Sequence, residues 1–262
     1  MSDFAPLVNP PPTADSVLLS DRLALRERPT GTPLLRQQWS ELLFLHWPVP
    51  AALLQAHLPP RLRPDTHEGQ AWIGIVPFQM SKVRTRFTPP VSGTDQFLEL
   101  NVRTYVHLDG VPGVWFFSLD ATSALAVWVA RTFFRLPYLR ADMRFEQPGP
   151  DLRQFTAART HGGVTPATFR ATWKLGAPLP NAEPGSLAFF LTERYCLYTS
   201  NKANTRLFRG RVAHAAWPLR TAQVLHLEST LLESHGLPTP VGQPVVHAGG
   251  PVQVELWPMQ QV

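Results

Sequence analysis

The residue types best suited to chemistry lie in one alternating run, FLELNVRTYVHL at 97–108. In an extended strand successive side chains point to opposite faces. Leu98, Leu100, Val102, Thr104, Val106 and Leu108 then share one face, and Phe97, Glu99, Asn101, Arg103, Tyr105 and His107 share the other. Two readings of this mixed face stay open. It is the wet side of a half-buried antiparallel strand, or the inside of a barrel where polar groups converge on a ligand. In the second reading Glu99 and Arg103 would provide charge, with Arg103 the candidate anion anchor. Asn101, Tyr105 and His107, together with Tyr138, would form a hydrogen-bonding and aromatic wall. Same-face neighbours on a strand lie about 6–7 Å apart, so Glu99 and Arg103 are separated by roughly 13 Å at Cα and need not neutralise each other. Arg103 is then free to hold a ligand carboxylate through two parallel bonds.

Other chemistry is poorly represented. There is no G-x-S-x-G elbow, no Walker A loop and no Gly-rich dinucleotide turn. The nine histidines show no H-x-H, H-x-x-x-H or H-E-x-x-H spacing, so neither a metal nor a cofactor is expected. His46, inside LLFLHW, reads as a core or barrel-lining histidine. Cys196 is the only cysteine, which excludes an internal disulfide and multi-cysteine metal sites. Glu193-Arg194-Tyr195 reads as an internal structural ion pair.

The elements that must position these groups are short. Proline, at 28 of 262 residues, cuts the chain into strands and turns. Runs at 39–47, 71–80, 97–108, 113–119, 167–175, 206–214 and 252–257 read as strands, and Asp109–Gly110 is a hairpin turn that Val111-Pro112 lengthens. A helix is expected over 121–134, with Asp120 as N-cap, apolar on all sides and therefore buried. Shorter helices fit 50–57 and 186–193. Residues 1–33, with Pro10–Pro12, read as an extended arm, and 34–262 as one domain. The overall expectation is a mainly β domain with a few helices, either a sheet curled round a buried helix or a barrel with a helical plug.

The chain carries 24 basic and 19 acidic residues, a net charge of +5, and all but Lys82, Lys174 and Lys202 of the basic ones are arginine. They are spread along the chain outside any reading motif, so nucleic acid is not the expected partner. No apolar stretch reaches the ~20 residues of a spanning helix, no signal peptide is seen, and the cytoplasm is the expected location. A homo-oligomer stays open.

WSELLFLHWPVP, AWIGIVPFQM, FLELNVRTYV, GVWFFSLDA, LPYLRADM and FLTERYCLYT, in that order over about residues 34–257, resemble the YqjF-like family of uncharacterised bacterial proteins. That family is similar in turn to acetoacetate decarboxylase. The resemblance implies a closed, cone-like antiparallel β-barrel around a central cavity. It also places Glu99 where the decarboxylase has its catalytic glutamate. The decarboxylase follows a helix with a proline and two adjacent lysines, one of which forms the Schiff base. Here Pro137 is followed by Tyr138 and Leu139, so the nucleophilic amine of that chemistry is missing. The expectation is a barrel that binds a small organic carboxylate or carbonyl ligand. It is either a lyase or hydrolase working without a Schiff-base lysine, or a non-catalytic sensor or carrier.

Overall fold

The computed structural model describes residues 17–86 and 96–262. Fifteen strands join in one sheet. The single strand expected over 39–47 is two, β1 (Leu35–Ser40) and β2 (Leu42–Val49). The chain breaks between them at Glu41, whose φ of 53° is left-handed and whose carboxylate accepts a hydrogen bond from Arg153 Nε at 2.8 Å. A two-residue β3 (Arg63–Pro64) and the long β4 (Ala71–Thr85) follow. β5 (Phe97–Leu108) has the expected bounds and turns into β6 (Val111–Ala121). Asp109 and Gly110, at φ 50° and 81°, give the turn positive φ at both central positions, which is the tight hairpin geometry. Leu108 pairs with Val111, so Val111-Pro112 belongs to the strand and does not lengthen the loop.

The remaining strands are β7 (Tyr138–Glu146), β8 (Leu152–Arg159), β9 (Thr168–Pro178), β10 (Cys196–Ser200), β11 (Leu207–His214) and β12 (Arg220–Ser229). β13 (Val245–Gly249), β14 (Val252–Leu256) and β15 (Gln260–Gln261) complete the set. Their order is β1-β14-β11-β10-β6-β7-β8-β9-β12-β13-β2-β4-β5-β3, with β15 on β11. Two further pairings, β1 with β4 and β5 with β6, join strands that lie apart in that order.

Alternation divides the interior in two. Leu42 and Phe44 of β2, Val76 and Phe78 of β4, and Phe97 of β5 pack into one cluster. Their immediate neighbours Leu43 and Leu45, Ile73 and Ile75, and Leu100 and Val102 pack into another. The central strands are therefore buried on both faces, and the odd-numbered face of β5 is not a wet one. Glu99, Asn101, Tyr105 and His107 are all under 5% exposed.

Five short α-helices interrupt the described strands: α1 (Leu19–Ala24), α2 (Ala51–Gln55), α3 (Ala124–Val129), α4 (Leu187–Thr192) and α5 (Leu231–Ser234). The helix expected over 121–134 is shorter and lies differently. Asp120 and Ala121 still belong to β6, and the N-cap is Ser123, whose Oγ accepts from Ala126 N at 3.2 Å. α3 runs straight into a π-helical turn, Ala130–Phe134. It is not a buried helix. Val127 and Phe134 face the core, while Trp128 is 58% and Phe133 64% exposed. Those two rings lie against each other on the outside, centroids 5.9 Å apart, so apolar composition overstated the burial.

The expected extended arm also differs where it is described, since it holds α1 and is tied down. Arg22 bonds both oxygens of Asp65 at 2.6 Å, and Arg28 bonds Glu255 and lies 5.0 Å over the Trp257 ring. Residues 1–16 of that arm lie outside the described residues. No described helix is long and apolar enough to cross a membrane.

Candidate functional site

Every second residue of β5 from Glu99 presents a polar group to the interior, and the strand's partners decide what each can do. Glu99 lies opposite Phe78 on β4 and Ala121 on β6. Its Oε2 accepts a hydrogen bond from Tyr138 Oη at 2.7 Å. Tyr138 is delivered by the turn before it. The π-helical segment and Arg135, at a left-handed φ of 56°, end the helix. Arg131 Nη1 then clamps the Tyr138 carbonyl at 2.8 Å. Single-turn π segments recur at functional positions because they shift side chains out of helical register.

Burial, with the nearby Asp120 charge, pushes the Glu99 carboxyl up to about 8, and the Tyr138 hydrogen bond only partly opposes it. Burial and the adjoining Glu99 likewise hold the Tyr138 phenol well above its ordinary value. Glu99 is thus a carboxylic acid at neutral pH, with a proton to give. Asn101, next on the face, has a buried Oδ1 with no hydrogen-bond partner.

Arg103 sits at the next level. Its Nη2 donates to Tyr105 Oη and to the Leu191 carbonyl, both at 3.2 Å. Its guanidinium lies 5.4 Å from the Phe44 ring and 5.6 Å from that of Tyr105. Among the described residues it makes no ion pair, and its Nε is buried without a partner.

Tyr105 Oη donates to Leu191 O at 2.6 Å and lies 2.6 Å from His46 Nε2. With the phenol proton so used, His46 must donate through Nε2, which leaves its Nδ1 a bare, buried lone pair. Burial and the charges of Arg103 and Arg194 keep His46 neutral, well below the ordinary histidine value. Gly74, paired with both His46 and Arg103, makes this possible, because a Cβ there would stand 2.8 Å from the imidazole Cδ2.

His107 is buried at the far end of β5, opposite Arg63 and Pro112. The structure therefore joins the candidate residues into two groups, Glu99 with Tyr138 and Arg103 with Tyr105. Asn101 lies between them and His107 beyond.

Several participants escaped the sequence reading. His46 was read as a core or barrel-lining histidine and is buried, but its bond to Tyr105 was not foreseen, and the Leu191 carbonyl had no signal at all. Glu193 and Arg194 do not pair with each other. Glu193 accepts from Tyr195 Oη and, at 3.0 Å, from Trp217 N. Arg194 instead binds Asp65 at 2.7 Å and lies 4.5 Å over Tyr105. Asp120, read as a helix cap, is a strand residue held through both oxygens by Arg159 at 3.0 Å. The three lysines are all exposed.

The architecture is that of the acetoacetate decarboxylase-like enzymes. The enduracididine biosynthesis enzyme MppR, solved in complex with pyruvate, superposes with a TM-score of 0.62 at 15% identity, covering 90% of this chain and 93% of its own. An acetoacetate decarboxylase gives 0.56 at 13% identity over 89% and 90%. At such identities the likeness is one of fold. Within that fold, the DUF2071 family model, described as an uncharacterized conserved protein, matches residues 36–253, and the chain belongs to this family. It is 40% identical over 234 residues to the uncharacterized protein YqjF of Bacillus subtilis (strain 168), covering 89% of this chain and 94% of that one.

Proposed function

We propose that this protein binds a small organic carboxylate or carbonyl compound between its strands, against the odd-numbered face of β5. Support for an enclosing barrel comes from the pairing pattern. Going β1-β14-β11-β10-β6-β5-β4 returns to β1 through paired neighbours. The observation that carries the reading is Arg103. Even a half-buried guanidinium without a carboxylate carries a desolvation cost, and its buried, unpaired Nε is a donor waiting for an acceptor. Trp39 Nε1 and Trp217 Nε1, on rings stacked 6.1 Å apart beside Phe44, are buried donors in the same condition. Arg103 and Trp217 both lie against Phe44, and a cation with unpaired donors in one cluster suits an anion. A neighbour in fold holds pyruvate, which makes pyruvate a natural first ligand.

On this reading Arg103 anchors the ligand carboxylate, with Tyr105 and Asn101 beside it. Glu99, protonated and steadied by Tyr138, supplies a proton at the other level of the site, as an acid poised near working pH does. His107 closes the far end. No exposed lysine reaches this face, which favours a carrier or sensor as the second reading; turnover that is abolished by Glu99→Gln separates the two.

The deciding experiment is calorimetric titration with pyruvate, acetoacetate and acetate. Arg103→Met should weaken carboxylate binding by about 2–5 kcal/mol, and Arg103→Lys should recover only part of it, because an ammonium cannot make the paired contact. Unaltered affinity in Arg103→Met would remove the assignment.

A further inference from the structure

Where β1 meets β4 the register slips. Arg36 pairs with Arg84 but Gln38 pairs with Ser81, so β4 carries one extra residue, and Lys82 there adopts a left-handed φ of 54°. A bulge of this kind interrupts the ladder and re-aims side chains, and bulges recur beside active sites.

Two pockets of opposite character meet at this bulge, sharing Gln37 and Arg84. One, of about 280 Å³, is apolar, lined among others by Leu35, Met80, Val83, Phe97, Ala126 and Phe134. The other, of about 670 Å³, is lined by Arg26, Arg28, Arg36, Lys82 and Arg84 against a single carboxylate, Glu255. That carboxylate is already occupied, by Arg28 Nε at 2.6 Å and Arg36 Nε at 3.0 Å. Lys82 and Arg84 are exposed and form no ion pair with any described carboxylate.

We propose that this bulge is a second binding site, for an amphipathic organic anion. An unbranched acyl chain lies in the apolar pocket and its carboxylate rests on Arg84 and Lys82. Apolar walls alone would take any oily molecule; the adjoining cations, whose only acidic neighbour among the described residues is spent, select a negatively charged head. The volume of the apolar side, about 280 Å³, favours a chain over a two- or three-carbon acid. Of the candidate residues on the interior face, only Tyr138 lines this pocket. The site is otherwise separate from Arg103 and goes beyond the reading above.

The test is isothermal titration of the full chain with acetate, butanoate, hexanoate, octanoate and octylamine. Affinity should rise about three- to fourfold per methylene along the acid series, and octanoate should bind at least tenfold more tightly than octylamine. The double variant Lys82→Glu, Arg84→Glu, both on exposed side chains, should weaken octanoate at least tenfold. Ala126→Phe, which fills the apolar side, should do the same; Ala130→Leu is the milder alternative if that variant does not fold. Arg103→Met should leave octanoate binding unchanged. Equal binding of octanoate and octylamine, or indifference to the charge reversal, overturns the site. Loss of octanoate binding in Arg103→Met alone places the acid on the β5 face, overturning this proposal while sparing the first.

Discussion

Two buried carboxylates stand on neighbouring strands, and they are treated in opposite ways. Asp120, on β6, is 1% exposed and receives two hydrogen bonds at 3.0 Å from Arg159. Arg159 in turn is fully employed, donating also to Ser118 Oγ, Ser234 Oγ and the Thr165 carbonyl. Glu99, one pairing step away on β5, is 2% exposed and has only a phenol. The guanidinium on its own strand, Arg103, goes to neutral acceptors instead. A structural pair closes its own charge and hydrogen bonds. The β5 face leaves an acid protonated and a cation unanswered, which is costly for a fold and useful to a ligand.

The largest expected effect breaks the closed pair. Arg159→Met would strand Asp120 in the interior and should cost about 3–5 kcal/mol in urea denaturation. Arg103→Met, with no carboxylate to strand, should cost less than about 1 kcal/mol in the same assay. Equal losses would erase the distinction and make Arg103 a structural residue.

A smaller effect belongs to Glu99 itself. Its carboxyl is raised to about 8, so the native state keeps a proton that the unfolded chain has released above the ordinary glutamate value. Stability should therefore fall as pH rises from that ordinary value to about 8, and level off above it. Glu99→Gln keeps a polar side chain for Tyr138 and removes the titration. It should be more stable than the parent by roughly 3 kcal/mol at pH 7, with no difference near pH 4. A parent whose stability is flat across that window would mean that Glu99 is ionised and balanced by a cation, as Asp120 is.

How much of this was legible follows from how far apart the partners lie. β5 was readable to the residue, because alternation over 97–108 is local and its ends are marked by an Asp-Gly turn. Glu99, Arg103 and Tyr105 on one face followed directly. What alternation cannot say is which face is wet, and here neither is, because an apolar cluster packs on each side of the strand. Asp65 and Arg194 meet across 129 residues, between segments outside any strand that only the tertiary fold brings together. The Glu41 break hides in an apolar run whose composition favours one long strand. The surface helix was misjudged for a related reason. Ala124 to Ala130 has no charged residue, yet Trp128 and Phe133 shield each other in place of a second layer.

The smallest expected effect is none at all, and it concerns the amines. A lysine becomes a Schiff-base nucleophile when it is desolvated or set beside another cation. On the proposed reading the β5 face supplies an acid and an anion anchor but no amine, and Tyr138 is a phenol engaged with Glu99. Lys174 and Lys202 are exposed on other strands and turns. Lys82 lines the basic pocket with Arg84, and Lys202 lines another with Arg131 and Arg135, but both lysines are exposed. Incubation with pyruvate or acetoacetate followed by borohydride should therefore leave the intact mass unchanged, while the same ligands still show binding by calorimetry. An adduct mapped to Lys82 would transfer the chemistry from β5 to the bulge, making the basic pocket the reactive site and the Glu99–Tyr138 pair a buried, neutral part of the core.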